Sequence, residues 1–280
     1  LVFLWGQRLK SYEEIEKIFD TKTPWSQFVV KDWLPEDLFN SLKKIILDSY
    51  ADKDKSKYDP AYGRWFVEHM PFYEIPDFYD KVLFYAKESL KEHDPNWDDY
   101  VSLGRFGWKY ESVDGVIPSL MGHMDTNGGN TQFDVVIDSS FDWGLRIGDN
   151  LYTESLPNEA IVFNGQELWH DRPAWEEYSK SKDDYLIVEF FVFAPKTHWF
   201  LTHGPDYLEV SRAIQKIRGM SSTENTREYS DLKDKVVALY NAISITKELS
   251  SQTAEDSMCE QKKLSDELNK SNLSKPGAGF

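Results

Sequence analysis

Cysteine is almost absent: Cys259 is the only one in 280 residues. No intramolecular disulfide is possible, and thiolate zinc sites, which need several sulfurs, are excluded. This usage fits a reducing compartment, so a cytoplasmic location is expected. Long apolar runs are missing as well. No stretch approaches the ~20 residues that a membrane helix needs. The apolar start Leu1-Val2-Phe3-Leu4-Trp5 is too short for a signal peptide. Positive charge is in deficit, with 32 Lys and Arg against 48 Asp and Glu and a formal charge of −16. Phosphate backbones bind through Lys and Arg, so general nucleic-acid binding is not expected, and neither is a membrane partner. The balance leaves room for a local basic pocket that takes a small anion. Histidine is scarce too: His69, His93, His123, His170, His198 and His203 are all there are.

Aromatic side chains are plentiful: ten Trp, fifteen Tyr and seventeen Phe. They favour pleated, half-buried surfaces and point to a β-rich body. The first part of the chain reads as helical support with a leading strand, over 1–98. Ser11 to Asp20 is a short helix, with Ser11 and Glu14 in a capping-box pattern. Phe28 to Leu34 reads as a strand. Pro35 then opens a helix on which Leu38, Leu42, Ile45, Ile46 and Tyr50 recur at helical spacing. Asp52 to Tyr62 reads as a loop, Arg64 to Tyr73 as an aromatic stretch packed on the body, and 77–92 as a second helix.

From Asp99 the texture changes to short apolar and aromatic runs separated by Gly, Asn, Asp and Pro. Strands are expected over 100–111, 116–125, 131–138, 143–147, 151–154, 159–164 and 185–194. This spacing predicts a sandwich or barrel over 99–195 rather than βαβ units. Tyr185 to Phe193 is apolar on both faces apart from Glu189, so it should be central and covered on both sides. Helices return over 196–249. The remainder, 250–280, has few large apolar residues, and disorder or a loosely held helix is expected there.

Two patches carry the chemistry: Gly122-His123-Met124-Asp125 and Asn164-Gly165-Gln166-Glu167-Leu168-Trp169-His170. In a strand, His123 and Asp125 point to one face, because side chains alternate with period two. The glycine and polar residues after Asp125 mark a strand ending at a cavity mouth. His170 follows a turn, an apolar strand and a second turn. Two imidazoles and one carboxylate on one face of an octahedral ion leave the opposite positions open, as in the facial triad of non-haem Fe(II) oxygenases.

On these residues, together with the apolar strand Tyr185 to Phe193 and the leading strand and helix Phe28 to Tyr50, the chain resembles the Fe(II)/2-oxoglutarate-dependent dioxygenases. The resemblance covers roughly Phe28 to Ala194. It implies a mainly β (α+β) fold with flanking helices around a double-stranded β-helix, a cupin-like jelly roll. It implies His123, Asp125 and His170 as catalytic metal ligands, with Fe(II), the cosubstrate 2-oxoglutarate and O2 at the centre. The implied reaction is hydroxylation of a small metabolite or a polypeptide side chain, with release of succinate and CO2. Asp125 stands where halogenating relatives carry a small residue, which argues against halogenation.

The sequence departs from the family at the start of the last core strand. Many members place there an Arg that holds the far carboxylate of 2-oxoglutarate, whereas this chain has Lys182-Asp183-Asp184-Tyr185. Three cations stand as candidate anchors: Arg146 first, then Lys182, then Arg172 two residues after His170. Each has a plain alternative in a surface ion pair. Tyr110, Asn130 and Trp169 are candidates for the pocket lining, Glu189 for an inward polar group or the partner of a buried cation, and Asp171 for orienting a ligand. Two other readings stay open. One is a cupin-like metal enzyme that does not use 2-oxoglutarate. The other is a non-catalytic jelly-roll module whose aromatic groove binds a peptide or glycan. Nothing in the pattern sets the substrate or the oligomeric state.

Overall fold

A computed structural model describes residues 8–125, 129–153, 156–220 and 226–273. The elements, in chain order, are α1 (Tyr12–Ile18), β1 (Gln27–Val30), α2 (Glu36–Ala51), β2 (Ser56–Asp59), β3 (Arg64–Val67), α3 (Phe78–Leu90), β4 (Tyr100–Glu111), β5 (Thr131–Ser139), β6 (Leu145–Ile147), β7 (Asn150–Tyr152), β8 (Ala160–Phe163), β9 (His170–Asp171), α4 (Trp175–Tyr178), β10 (Tyr185–Pro195), α5 (Trp199–Thr202), α6 (Leu208–Gly219) and α7 (Thr226–Leu273). Contacts divide the chain into two units, Phe19–Leu208 and Leu1–Ile18 with Glu209–Phe280.

The larger unit is built around β10. Ile187, Phe191 and Phe193 join one apolar cluster with α2 and α3 side chains such as Leu42, Ile46, Phe78 and Val82. Leu186, Val188 and Phe190 point the other way, into a cluster with Tyr110, Trp143 and Trp175. The expected central, doubly covered strand is therefore present, lying between β5 and β4 in an antiparallel sheet of order β1-β8-β5-β10-β4-β3-β2. A second sheet, β7-β6-β9, is extended by a bridge between His123 and His170. From β4 onward the chain alternates between these sheets: β4, the extended stretch ending at His123, β5, then β6 and β7, β8, β9 and β10. That alternation makes the core a double-stranded β-helix. Strands β1, β2 and β3, from before residue 98, join the same first sheet.

Several local expectations change. Ser56–Asp59 is strand rather than loop. It is polar, so it carries no apolar signal, and it sits at a sheet edge, paired with β3 around a turn at Gly63 with φ 61°. Residues 116–125 form no regular strand beyond isolated bridges at Val116 and His123. Pro118 has no N–H to give a ladder. Pro35 stands at the N-cap of α2 rather than inside it. Helix α7 runs on from 249 to Leu273, so of the two readings of the tail, disorder or helix, the described part is helix. The expectations for Leu1–Trp5, for residues 126–128 of the loop after the metal motif and for 274–280 fall outside the described residues.

In the smaller unit the capping box at the start of α1 forms as read. Glu14 N–H donates to Ser11 Oγ at 3.4 Å, and Ser11 N–H donates to Glu14 Oε2 at 2.8 Å. Helix α1 packs on α7, with Asn241 bonding both backbone groups of Lys10. No helix among the described residues is long and apolar enough to cross a membrane.

Candidate metal centre

Backbone pairing sets the two histidines side by side. His123 N–H donates to His170 O at 3.0 Å, and His170 N–H donates to His123 O at 2.9 Å. Asp125 N–H donates to Gly165 O at 2.7 Å, which pins the stretch again two residues on. Bonding at 123 and 125 reproduces the alternation of a strand without a regular ladder, so both side chains face the same way. His170 is delivered by the turn before it. Asn164 Oδ1 accepts from Gln166 N–H at 3.1 Å, and Asn164 Nδ2 donates to Thr21 O at 2.7 Å.

The donor atoms of His123, Asp125 and His170 lie within 4.8 Å of one another. Each imidazole Nε2 is 3.7 Å from an Asp125 oxygen, His123 from Oδ1 and His170 from Oδ2. Each Nδ1 meets a backbone carbonyl, Met121 O at 2.8 Å and Leu168 O at 3.1 Å. A carbonyl only accepts, so each Nδ1 carries the proton and each Nε2 presents its lone pair to the common centre. Burial pushes His170 down to about 4, so the ring is neutral at pH 7. Burial raises Asp125 to about 6, against the pull of His123 and of the hydrogen bond from Gln132. A largely buried carboxylate beside two imidazole nitrogens that present lone pairs is a donor set for a divalent ion. The two-nitrogen, one-oxygen set fits Fe(II).

Two residues to which the sequence assigned no part at the metal complete the centre. Gln132 Nε2 donates to Asp125 Oδ2. Gly165 leaves the space that this pair occupies, since a Cβ there would collide with Asp125 Oδ2 and Gln132 Nε2. The signal for Gln132 was present: Gln132 and Asp134 are polar, alternate on one face and lie in a strand buried from Thr131 to Ile137, in which Phe133, Val135, Val136 and Ile137 are apolar. Gly165 reads in the sequence only as part of the turn before His170.

No family model matches this chain, and no curated protein does. Solved structures do. A prolyl-4-hydroxylase from Pseudomonas putida is 12% identical, with 65% of this chain and 98% of that one covered at a TM-score of 0.44. An oxidoreductase of the 2OG-Fe(II) oxygenase family from Burkholderia pseudomallei is 6% identical, with 68% and 93% covered at 0.44. EctD from S. alaskensis, solved with 2-oxoglutarate and 5-hydroxyectoine, is 12% identical, with 69% and 80% covered at 0.43. Each likeness is one of fold.

The candidate anchors fall in three different places. Arg146 pairs across the sheet with Asp171, and Ile147 with His170. Cross-strand partners share a face, so Arg146 and Asp171 lie on the face opposite His170, where they form an ion pair at 3.5 Å. Arg146 therefore points away from the centre, and Asp171 does not orient a ligand. Lys182 is exposed in the turn before β10. Arg172, on the same side as His170, is buried and engaged: it donates to Trp143 O at 2.6 Å and to Asp134 Oδ2 at 3.0 Å. Glu189 is not a group of the barrel interior. It faces the helix-covered side and takes both bonds from Arg105, at 2.8 and 3.1 Å, with Gly107 opposite making room. Asn130 holds Thr21 O at 3.0 Å. Tyr110 lies fully buried in the cluster with Trp143 and Trp175. Trp169 is 56% exposed, with its ring against Gly122, and alternation along the strand turns it to the face opposite His170.

Proposed function

We propose that this chain is a non-haem Fe(II)/2-oxoglutarate-dependent oxygenase that hydroxylates a small metabolite or a polypeptide side chain. The observation that carries the reading is the convergence of His123, Asp125 and His170, with both Nε2 atoms unprotonated and turned to one point. Fe(II) bound there supplies activation of dioxygen coupled to decarboxylation of 2-oxoglutarate into succinate and CO2. The chain's own contribution is positioning and exclusion of water. Gln132 holds one oxygen of Asp125. Leu145, Ile147, Ile161 and Phe163 form an apolar wall behind His170, with the Phe163 ring 4.9 Å from the imidazole.

Protein incubated with Fe(II), ascorbate and 2-oxoglutarate is expected to form succinate, and His123→Ala is expected to form none. Equal turnover by both proteins removes the proposal. One observation favours a second reading, a metal-dependent cupin-like enzyme without 2-oxoglutarate. The barrel-facing residues of β10 are Leu186, Val188 and Phe190, none of them a cation. Stabilisation by metal with no further rise on adding 2-oxoglutarate would select it.

A further inference from the structure

Resting on the metal site of that proposed function, we infer that Thr21 is a positioning residue of the centre. Its backbone carbonyl ties together the two stretches that carry Asp125 and His170. Each stretch crosses between the two sheets, one leading from Asp125 to β5 and the other from β8 to His170. Asp125 N–H bonds Gly165 O near the metal donors, and Gln132 pairs with Phe163 where β5 meets β8. Asn130 and Asn164 stand between these two links in the chain.

Both asparagines are buried, and both donate to the same oxygen. Asn130 Nδ2 donates to Thr21 O at 3.0 Å, and Asn164 Nδ2 donates to it at 2.7 Å. A carbonyl oxygen has two lone pairs, so these two donors fill it. The other end of each amide is used as well. Asn130 Oδ1 accepts from Thr131 Oγ1 at 3.2 Å, and Asn164 Oδ1 accepts from Gln166 N–H at 3.1 Å. Thr21 adds a third bond with its own side chain, Oγ1 donating to Glu167 Oε1 at 2.8 Å, three residues before His170.

The segment that carries Thr21, between α1 and β1, forms no regular element, so this carbonyl has no ladder to join. The segment is nevertheless held in place. Phe19, two residues earlier, is buried, with its ring centroid 5.2 Å from that of Trp199 and 6.5 Å from that of Tyr207. Because Asn130 and Asn164 share one acceptor, the stretches are tied only while both bonds are made. An ion that needs Asp125 and His170 at one point gains from the tie. By linkage the tie gains equally from the ion.

The test is titration of the full chain with Co(II), read in the visible absorption of the bound ion, under conditions where every variant is fully folded. Asn130→Leu and Asn164→Leu should each weaken Co(II) binding by about tenfold, the range for residues that support metal ligands. The double variant should also stand at about tenfold rather than about a hundredfold, because either loss alone breaks the tie. Unchanged affinity in either single variant, or losses that multiply in the double one, overturns the role of Thr21. Where a variant does not fold, tryptic cleavage of the unmodified protein decides. Lys22, next to Thr21, and Lys53, in the turn before β2, are both exposed. Saturating Co(II) should slow cleavage after Lys22 by about tenfold and leave cleavage after Lys53 unchanged. No slowing, or equal slowing at both sites, overturns the role and leaves the proposed function standing. An unmodified protein that takes up no Co(II) overturns both.

Discussion

At the scale of single residues, the centre depends on one missing side chain. Gly165 is needed because Asp125 Oδ2 and Gln132 Nε2 fill the space where a Cβ would stand. Gly165→Ala should push the carboxylate off the common point and lower metal affinity by about tenfold or more, the range found for partners that support metal ligands. Gln132→Leu should act in the same direction, because Asp125 loses the donor that orients it. Titration of the apo protein with Co(II) measures both, and unchanged affinity in Gly165→Ala would show that the site relaxes around a methyl group. Metal ligation asks for His and Asp, so these residue types stand out in a sequence. The space a glycine leaves becomes visible only with its neighbours in place.

At the scale of elements, two polar residues tie strands to what precedes them. Asn158, buried and at φ 69°, accepts from Leu34 N–H at 3.0 Å and donates to Leu34 O at 2.7 Å. It joins the turn before β8 to the entry of α2. Asn tolerates the left-handed conformation, whereas Ala there is strained and leaves two buried backbone groups unpaired. Asn158→Ala should cost about 2–4 kcal/mol, read as a lower denaturant midpoint with the slope unchanged. Asp184, just before β10, accepts from Lys180 N–H at 2.7 Å, Ser181 N–H at 2.8 Å, Ser179 Oγ at 3.0 Å and Ser140 Oγ at 3.2 Å. Burial acts to raise its pKa, but these bonds outweigh it and hold the carboxyl below its usual range. A depressed folded-state value adds stability that is complete above the unfolded value of about 3.9 and is lost as pH falls through the folded one. Melting temperature should therefore drop on acidification below pH 4, and less steeply in Asp184→Asn than in the unmodified protein.

At the scale of the whole molecule, the metal should report on folding. An ion that binds only the folded chain stabilises it by about 2.7 kcal/mol at a hundredfold excess over Kd. Thermal unfolding should shift upward by several degrees with Co(II) or Mn(II), and His123→Ala should abolish the shift. Strands β4 and β10 and the capping box of α1 were legible in the sequence because each rests on local pattern: apolar runs bounded by turn residues, and a Ser and a Glu three apart. The three candidate donors that converge were legible because few side chains can ligate an ion and two spacings brought those few together. Arg146 could have been set aside on the same ground, since Leu145 and Ile147 on either side of it are apolar and alternation turns it outward. Strand β2, the two-residue β9 and the irregular approach to His123 were not legible, because partners elsewhere in the sheets hold them rather than their own composition. The same is true of Gln132 as a support for Asp125, and of Thr21 as the shared acceptor of Asn130 and Asn164. Sequence by itself determined the local elements and the residue types of the candidate metal donors. Only the tertiary structure decided which cations enter the barrel, because that depends on which face each strand turns inward and on which carboxylates already hold the buried arginines.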